Sequence, residues 1–112
     1  MTMEELTKRV REFAGAREWE QFHTPKNLAM AVAGEAGELL AEFQWLTPEE
    51  SAELSGERLD AVVAEMADVI IYLVRLADVL GVDLLAAAQE KVSANERRYT
   101  VDRSKGSARK VE

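Results

Sequence analysis

The stretch "ERLDAVVAEMADVIIYLVRLADVL", residues 57–80, decides the fold. It contains no glycine, no proline and no sustained apolar–polar alternation, so it predicts one long helix and not a strand. With Leu59 at 0° and about 100° per residue, Val63, Met66, Ile70, Leu73 and Ala77 fall within about 40° of that centre and read as a core stripe. Between Val62 and Leu80 the apolar residues continue round most of the circumference. A helix of that kind needs cover on more than one side, and three partner helices in a chain of 112 residues hardly provide it. The pattern therefore predicts a homo-oligomer built across this helix. Glu65, Asp68 and Tyr72 share a strip about 60° wide on the other flank.

Punctuation on either side of this helix predicts more helices. Thr2-Met3-Glu4-Glu5 fits a capping box, after which Leu6, Val10 and Phe13 keep helical spacing to about Arg17. The connection "REWEQFH" is unusually aromatic for a loop. Thr24-Pro25 is an N-cap followed by proline at the first helical position, opening a helix to about Leu46. Thr47-Pro48-Glu49-Glu50 repeats the signal for a short segment, Ser55-Gly56 precedes the long helix, and Gly81 stops it. Asp83 caps a last helix to about Tyr99, and Gly106 interrupts the polar, basic tail. Four main helices with short connections predict an all-α fold, an antiparallel four-helix bundle, as a single domain over residues 1–99 with a tail over 100–112.

Composition narrows the function classes. The chain is 47% apolar and 31% charged, as expected of a globular protein, and has no cysteine, which removes disulfides and thiolate chemistry and suits a reducing cytoplasm. The first fifteen residues have no apolar signal core, and the run Val69–Val74 is too short to span a bilayer before Arg75 interrupts it. Net charge is −7, divided unevenly: residues 1–90 carry 7 basic and 18 acidic side chains, and residues 91–112 carry 7 and 3. An acidic body argues against a nucleic-acid surface. It suits cations, or an anion arriving with its own metal, and it equally suits simple solubility.

The acidic residues are not spread at random. In "VAGEAGELLAEFQWL", residues 32–46, placing Leu28 at 0° puts Val32, Leu39, Phe43 and Leu46 on an apolar arc within about 60° either side of it. Glu35 falls inside that arc and Glu38 at its edge, with Glu42 between them. An interior carboxylate needs compensation or takes up a proton. The long helix offers a second pair at the same i, i+3 spacing, Glu65 and Asp68, and that spacing stacks both carboxylates of a pair on one face. Facing pairs would gather four carboxylates of the kind that hold hard divalent ions such as Mg²⁺. The alternative is that all four are ordinary solvated acids, and Glu42 either supports the ligands from behind or simply reaches solvent.

Further candidates have two readings each. Lys91, Asn95 and Arg98 follow i, i+4, i+7 on the last helix, either as a solvated basic face or as contacts to phosphate oxygens. His23, the single histidine, either packs beside the Thr24 cap or touches a ligand. Trp19, Phe22 and Trp45 flank the ends of the carboxylate helix, as core or as surfaces on which a base stacks.

The segments "FHTPKNLAMAVAGEAGELLAEFQWL", "EMADVIIYLVRLADVLGVDL" and "KVSANERRYTVDRSKGSARK" resemble the MazG-like, all-α nucleoside triphosphate pyrophosphohydrolases, in particular the dCTP pyrophosphatase branch. The resemblance covers about residues 12–110 and includes "WEQFH" and "FQW" as well as the acids. It implies a homo-oligomer, dimer or tetramer, that cleaves a nucleoside triphosphate to the monophosphate and pyrophosphate with Mg²⁺, Mn²⁺ being a possible substitute. It implies Glu35, Glu38, Glu65 and Asp68 as metal ligands, and Trp19, His23, Trp45 and Tyr72 as parts of the nucleotide pocket. Lys91, Asn95 and Arg98 become substrate contacts. Two departures fall in the tail: Thr100 stands where close relatives tend to have proline, and the chain ends "KVE" instead of with an aromatic residue. Among the acids, Glu35 is the expected general base, because its apolar surroundings raise its pKa. A cleaver of another nucleotide, or a non-catalytic acidic helical module, are the rival expectations.

Overall fold

The computed structural model describes residues 1–112, and all its regular structure is helical. α1 spans Met3–Ala16 and a 3-10 turn spans Trp19–Gln21; α2 spans Pro25–Ala41, α3 Pro48–Ser51, α4 Gly56–Leu80, α5 Leu84–Arg98 and α6 Val101–Ser104. No helix is long and apolar enough to cross a membrane. The caps lie where the threonines and the aspartate put them. Thr2 and Glu5 exchange the two bonds of a capping box, each 3.1 Å. Thr47 and Glu50 do the same for α3, Thr24 accepts from the amide of Asn27 at 3.2 Å, and Asp83 accepts from Ala86 at 2.9 Å.

α2 is shorter than its sequence pattern predicts. It ends at Ala41 and not near Leu46, and residues 42–45 form turns in which Phe43 N–H reaches Leu40 and Leu46 N–H reaches Phe43, both at 2.9 Å. Pro48 holds Thr47 extended, at ψ 161°, so no helix runs through residue 47, and the residues after Ala41 close in tighter i→i+3 bonds.

The chain forms two compact units, Met1–Gly81 and Val82–Glu112. In the first, α1 and α2 both pack on α4, and Ala14, Leu28, Val62, Val74 and Ala77 are its fully buried apolar residues. The α2 arc faces inward as the wheel predicts: Leu28 is buried and Val32, Leu39 and Phe43 are half-buried. On α4 the expected core stripe is overturned along its first half. Leu59, Val63, Met66 and Ile70 are exposed, Met66 by 55%, and only Ala77 of the stripe is fully buried. Along that half Val62 is the buried apolar residue. Glu65 and Asp68 turn towards α2, and on a 3.6-residue helix that turns the Leu59 stripe outward. In the second unit the Arg98 guanidinium lies 5.2 Å from the Tyr99 ring centre and its Nε donates to the Val111 carbonyl, which ties the tail back to α5.

Candidate active site

Two helices supply the acidic cluster. Glu35 and Glu38 lie one turn apart on α2, Glu65 lies mid-way along α4, and one carboxylate oxygen from each is within 4.8 Å of the others. Glu35 and Glu65 are half-buried and Glu38 is exposed. Asp68, one turn along α4, is half-buried and lies outside that tight triad. Its charge still acts on both Glu35 and Glu65.

The cluster is electrostatically unfinished. Desolvation raises the Glu35 pKa first, followed by its hydrogen bond with Glu38 and by repulsion from Glu38 and Asp68, while contact with Glu65 pulls the other way. Glu65 is pushed up to about 7, again by desolvation first, then by its hydrogen bond with Glu38 and by the charges of Glu38, Glu35 and Asp68. One oxygen of Glu35 and one of Glu65 are buried with no hydrogen-bond partner. Buried carboxylate oxygens without donors are costly. An oxygen-seeking divalent cation would satisfy them and reverse the repulsion, so these residues fit such a group. Gly34 and Gly37 immediately precede Glu35 and Glu38, and a Cβ at either would meet nothing within 4 Å.

The aromatic candidates divide. Trp19 sits edge-on to Phe13 of α1, with ring centres 5.5 Å apart, and edge-on to His23 at 6.2 Å. Tyr72 is half-buried on α4. Trp45 stands in the turns after α2, 87% exposed, and packs against nothing in its own chain that would cover it. Lys91, Asn95 and Arg98 belong to the second unit, where Lys91 is exposed and Asn95 and Arg98 are half-buried.

The sequence reading missed a polar network at the other end of α4. Arg75 is 6% exposed, and its Nε donates to His23 Nδ1 at 3.1 Å while its Nη1 donates to Asp78 at 3.1 Å. Asp78 also accepts from Arg11 of α1, at 2.8 and 2.6 Å. The signal was present: an arginine inside the apolar run of a helix, with an aspartate three residues on. It reads as an interruption until the partner histidine, 52 residues away, is seen.

An all-helical chain that faces two acidic helix pairs across one interface, with a cation-hungry cluster between them, defines a narrow class. The MazG-like family model matches residues 31–112. The dCTP pyrophosphatase 1 of Bos taurus is 45% identical over 109 residues, 96% of this chain and 64% of its own. The Homo sapiens protein of that name is 43% identical over 111 residues, 97% and 65% respectively. This chain thus spans slightly under two thirds of the length of these relatives. A crystal structure of a pyrophosphatase from Archaeoglobus fulgidus DSM 4304 superposes with a TM-score of 0.82 at 43% identity, covering 88% of this chain and 92% of that one. The chain belongs to the MazG-like family.

Proposed function

We propose that the protein is a Mg²⁺-dependent nucleoside triphosphate pyrophosphohydrolase that converts dCTP, or a modified dCTP, to the monophosphate and pyrophosphate. The observation that carries this reading is the triad of Glu35, Glu38 and Glu65 within 4.8 Å, with two buried, unpartnered oxygens. The substrate follows from the relatives named dCTP pyrophosphatase 1. Glu35, Glu38, Glu65 and Asp68 would hold the metal, with Mn²⁺ as a substitute. When bound, the metal supplies charge neutralisation at the phosphates and Lewis acidity.

The chain's own groups do the remainder. Glu35, whose desolvation raises its pKa, takes the proton of the water that attacks the α-phosphorus in line. The α–β phosphoanhydride bond breaks and pyrophosphate leaves with its electron pair. Trp19, His23, Trp45 and Tyr72 hold the nucleoside, and Lys91, Asn95 and Arg98 contact the substrate, the two cations balancing charge on its phosphates. Residues 1–99 act as one working domain in a four-helix bundle and residues 100–112 as its basic tail. A homo-oligomer, dimer or tetramer, covers the exposed stripe of α4 from Leu59 to Ile70. The lack of cysteine fits a cytoplasmic setting.

One panel tests the activity: pyrophosphate release from dCTP, 5-methyl-dCTP, dUTP, dTTP and purine deoxynucleotides, with Mg²⁺ and with chelator. Release from dCTP and its 5-methyl form, only with the metal, is the expected result. A preference for a different base would move the assignment within the family, and no release from any nucleotide would favour a binding module.

A further inference from the structure

The Arg11–Asp78–Arg75–His23 network has no part in the carboxylate chemistry, yet it is built as carefully as the acidic site. Arg75 is almost fully buried. It spends its donors on Asp78 and on the one histidine of the chain. Asp78 is gripped from the other side by the forked guanidinium of Arg11, in a paired geometry of two short bonds. Arg75 of α4 therefore meets the imidazole directly, and Arg11 of α1 braces it through Asp78.

Hydrogen-bond chemistry gives this arrangement one meaning. A guanidinium has donors only and does not lose its proton in proteins. The ring nitrogen it meets, Nδ1 at 3.1 Å, must be the acceptor. A histidine with an acceptor at Nδ1 is neutral and carries its single proton on Nε2. We propose that Arg75, braced by Asp78 and Arg11, is a positioning residue that locks His23 as a neutral Nε2–H donor to a carbonyl oxygen of the nucleotide base. This rests on the reading that His23 lines the nucleotide pocket. A charged imidazole would suit phosphate better; an uncharged donor suits the carbonyl of a pyrimidine. The His23 pKa points the same way, held below its ordinary value first by burial and then by the charge of Arg75. In this arrangement the Nε2 of His23 is not available as a base, which leaves proton abstraction to the carboxylates.

His23 is the single histidine, so uniform ¹⁵N-histidine labelling gives one set of imidazole resonances and no assignment problem. The wild-type protein at neutral pH should show a protonated Nε2 and a pyridine-like Nδ1. An Nδ1–H form or an imidazolium would overturn the proposal without any variant being made. Arg75→Met should populate both neutral forms and move the titration midpoint up towards the ordinary value of about 6.5; unchanged resonances would remove Arg75 from the role. In pyrophosphate release, Arg75→Met should raise KM for dCTP about fivefold, the effect of one neutral hydrogen bond, with kcat within about twofold. Arg75→Lys, which keeps a cationic donor, should recover most of that KM. A purely structural arginine would not produce that split or that rescue. His23→Ala should raise KM to the same degree, and an unchanged KM there would overturn the donor role. The resonances are read without turnover, so failure of the proposed activity and failure of this inference give different results.

Discussion

Glu35 is the residue proposed to take the proton of the attacking water. It lies on the apolar arc of α2, where a leucine would pack, and one of its oxygens is buried without a partner. Glu35→Gln keeps the shape and removes the charge. It should lower kcat/KM by about a hundredfold or more, the range of a lost acid–base group, while far-UV circular dichroism keeps its helical form. Retained turnover would take Glu35 out of the reaction. Glu65 carries a stability signature of its own. Its carboxyl ionises at about 7 in the folded protein and at about 4.3 in an unfolded chain. Between those values the folded state binds more protons, so stability falls as pH rises, and the raised pKa of Glu35 adds the same sign. His23, held below its ordinary value, opposes this in a window ending near about 6.5. Metal-free melting temperatures should therefore drop between about pH 5 and about pH 7.5, and Glu65→Gln should flatten the drop. A wild-type melting point level across that range would contradict the coupling.

At the scale of elements, most of what forms each helix is local and was legible in advance. Thr2, Thr24, Thr47 and Asp83 cap where their side chains can reach an amide three residues on. Gly81 ends α4 because φ 69° is open to glycine and strained for other residues. Gly81→Ala should cost about 1 kcal/mol, measured by urea unfolding; a neutral result would mean that α4 ends without help from that conformation. Gly34 and Gly37 make the opposite case. Nothing in the chain fills the space beside them, so Gly34→Ala and Gly37→Ala should each raise the stability of the metal-free protein by about 0.5 kcal/mol or slightly more through helix propensity. Loss of turnover in these stabilised variants would show that substrate or a second subunit needs the gap. What local pattern could not give is the end of α2. Hydrophobic spacing continues through Leu46, whereas the helix gives way to tighter turns after Ala41, and Pro48 restricts only Thr47 beside it.

For the whole molecule, the exposed stripe of α4 is the open account. Val63 and Met66 are 54% and 55% exposed on a helix that is otherwise the centre of its unit. Val63→Glu together with Met66→Lys should convert the proposed homo-oligomer to monomer in sedimentation, with little loss of helix; an unchanged sedimentation coefficient would remove this stripe as a subunit interface. Millimolar Mg²⁺ should raise the melting temperature by several degrees, since an ion held only by the folded cluster stabilises by mass action. Glu38→Ala should remove most of that rise. A melting point indifferent to Mg²⁺ in the wild type would leave the four acids as ordinary surface charge.

The helix starts, their caps and the two acidic pairs were legible along the chain, because i, i+3 spacing and a capping threonine act within a few residues. Spacing also placed Glu35 on an apolar arc, and Leu28 and Val32 beside it are buried or half-buried in the structure. Tertiary structure alone decided which flank of α4 faces inward. A helix apolar round most of its circumference has no preferred side until a partner is present. Here packing on α1 and α2 buries Val62, Val74 and Ala77 and leaves Glu65 turned in and Met66 out. Likewise Arg75 is only an interruption in an apolar run until the fold brings His23 to its Nε. Pairing across 52 residues depends on how three segments pack, and no periodicity along one of them records it.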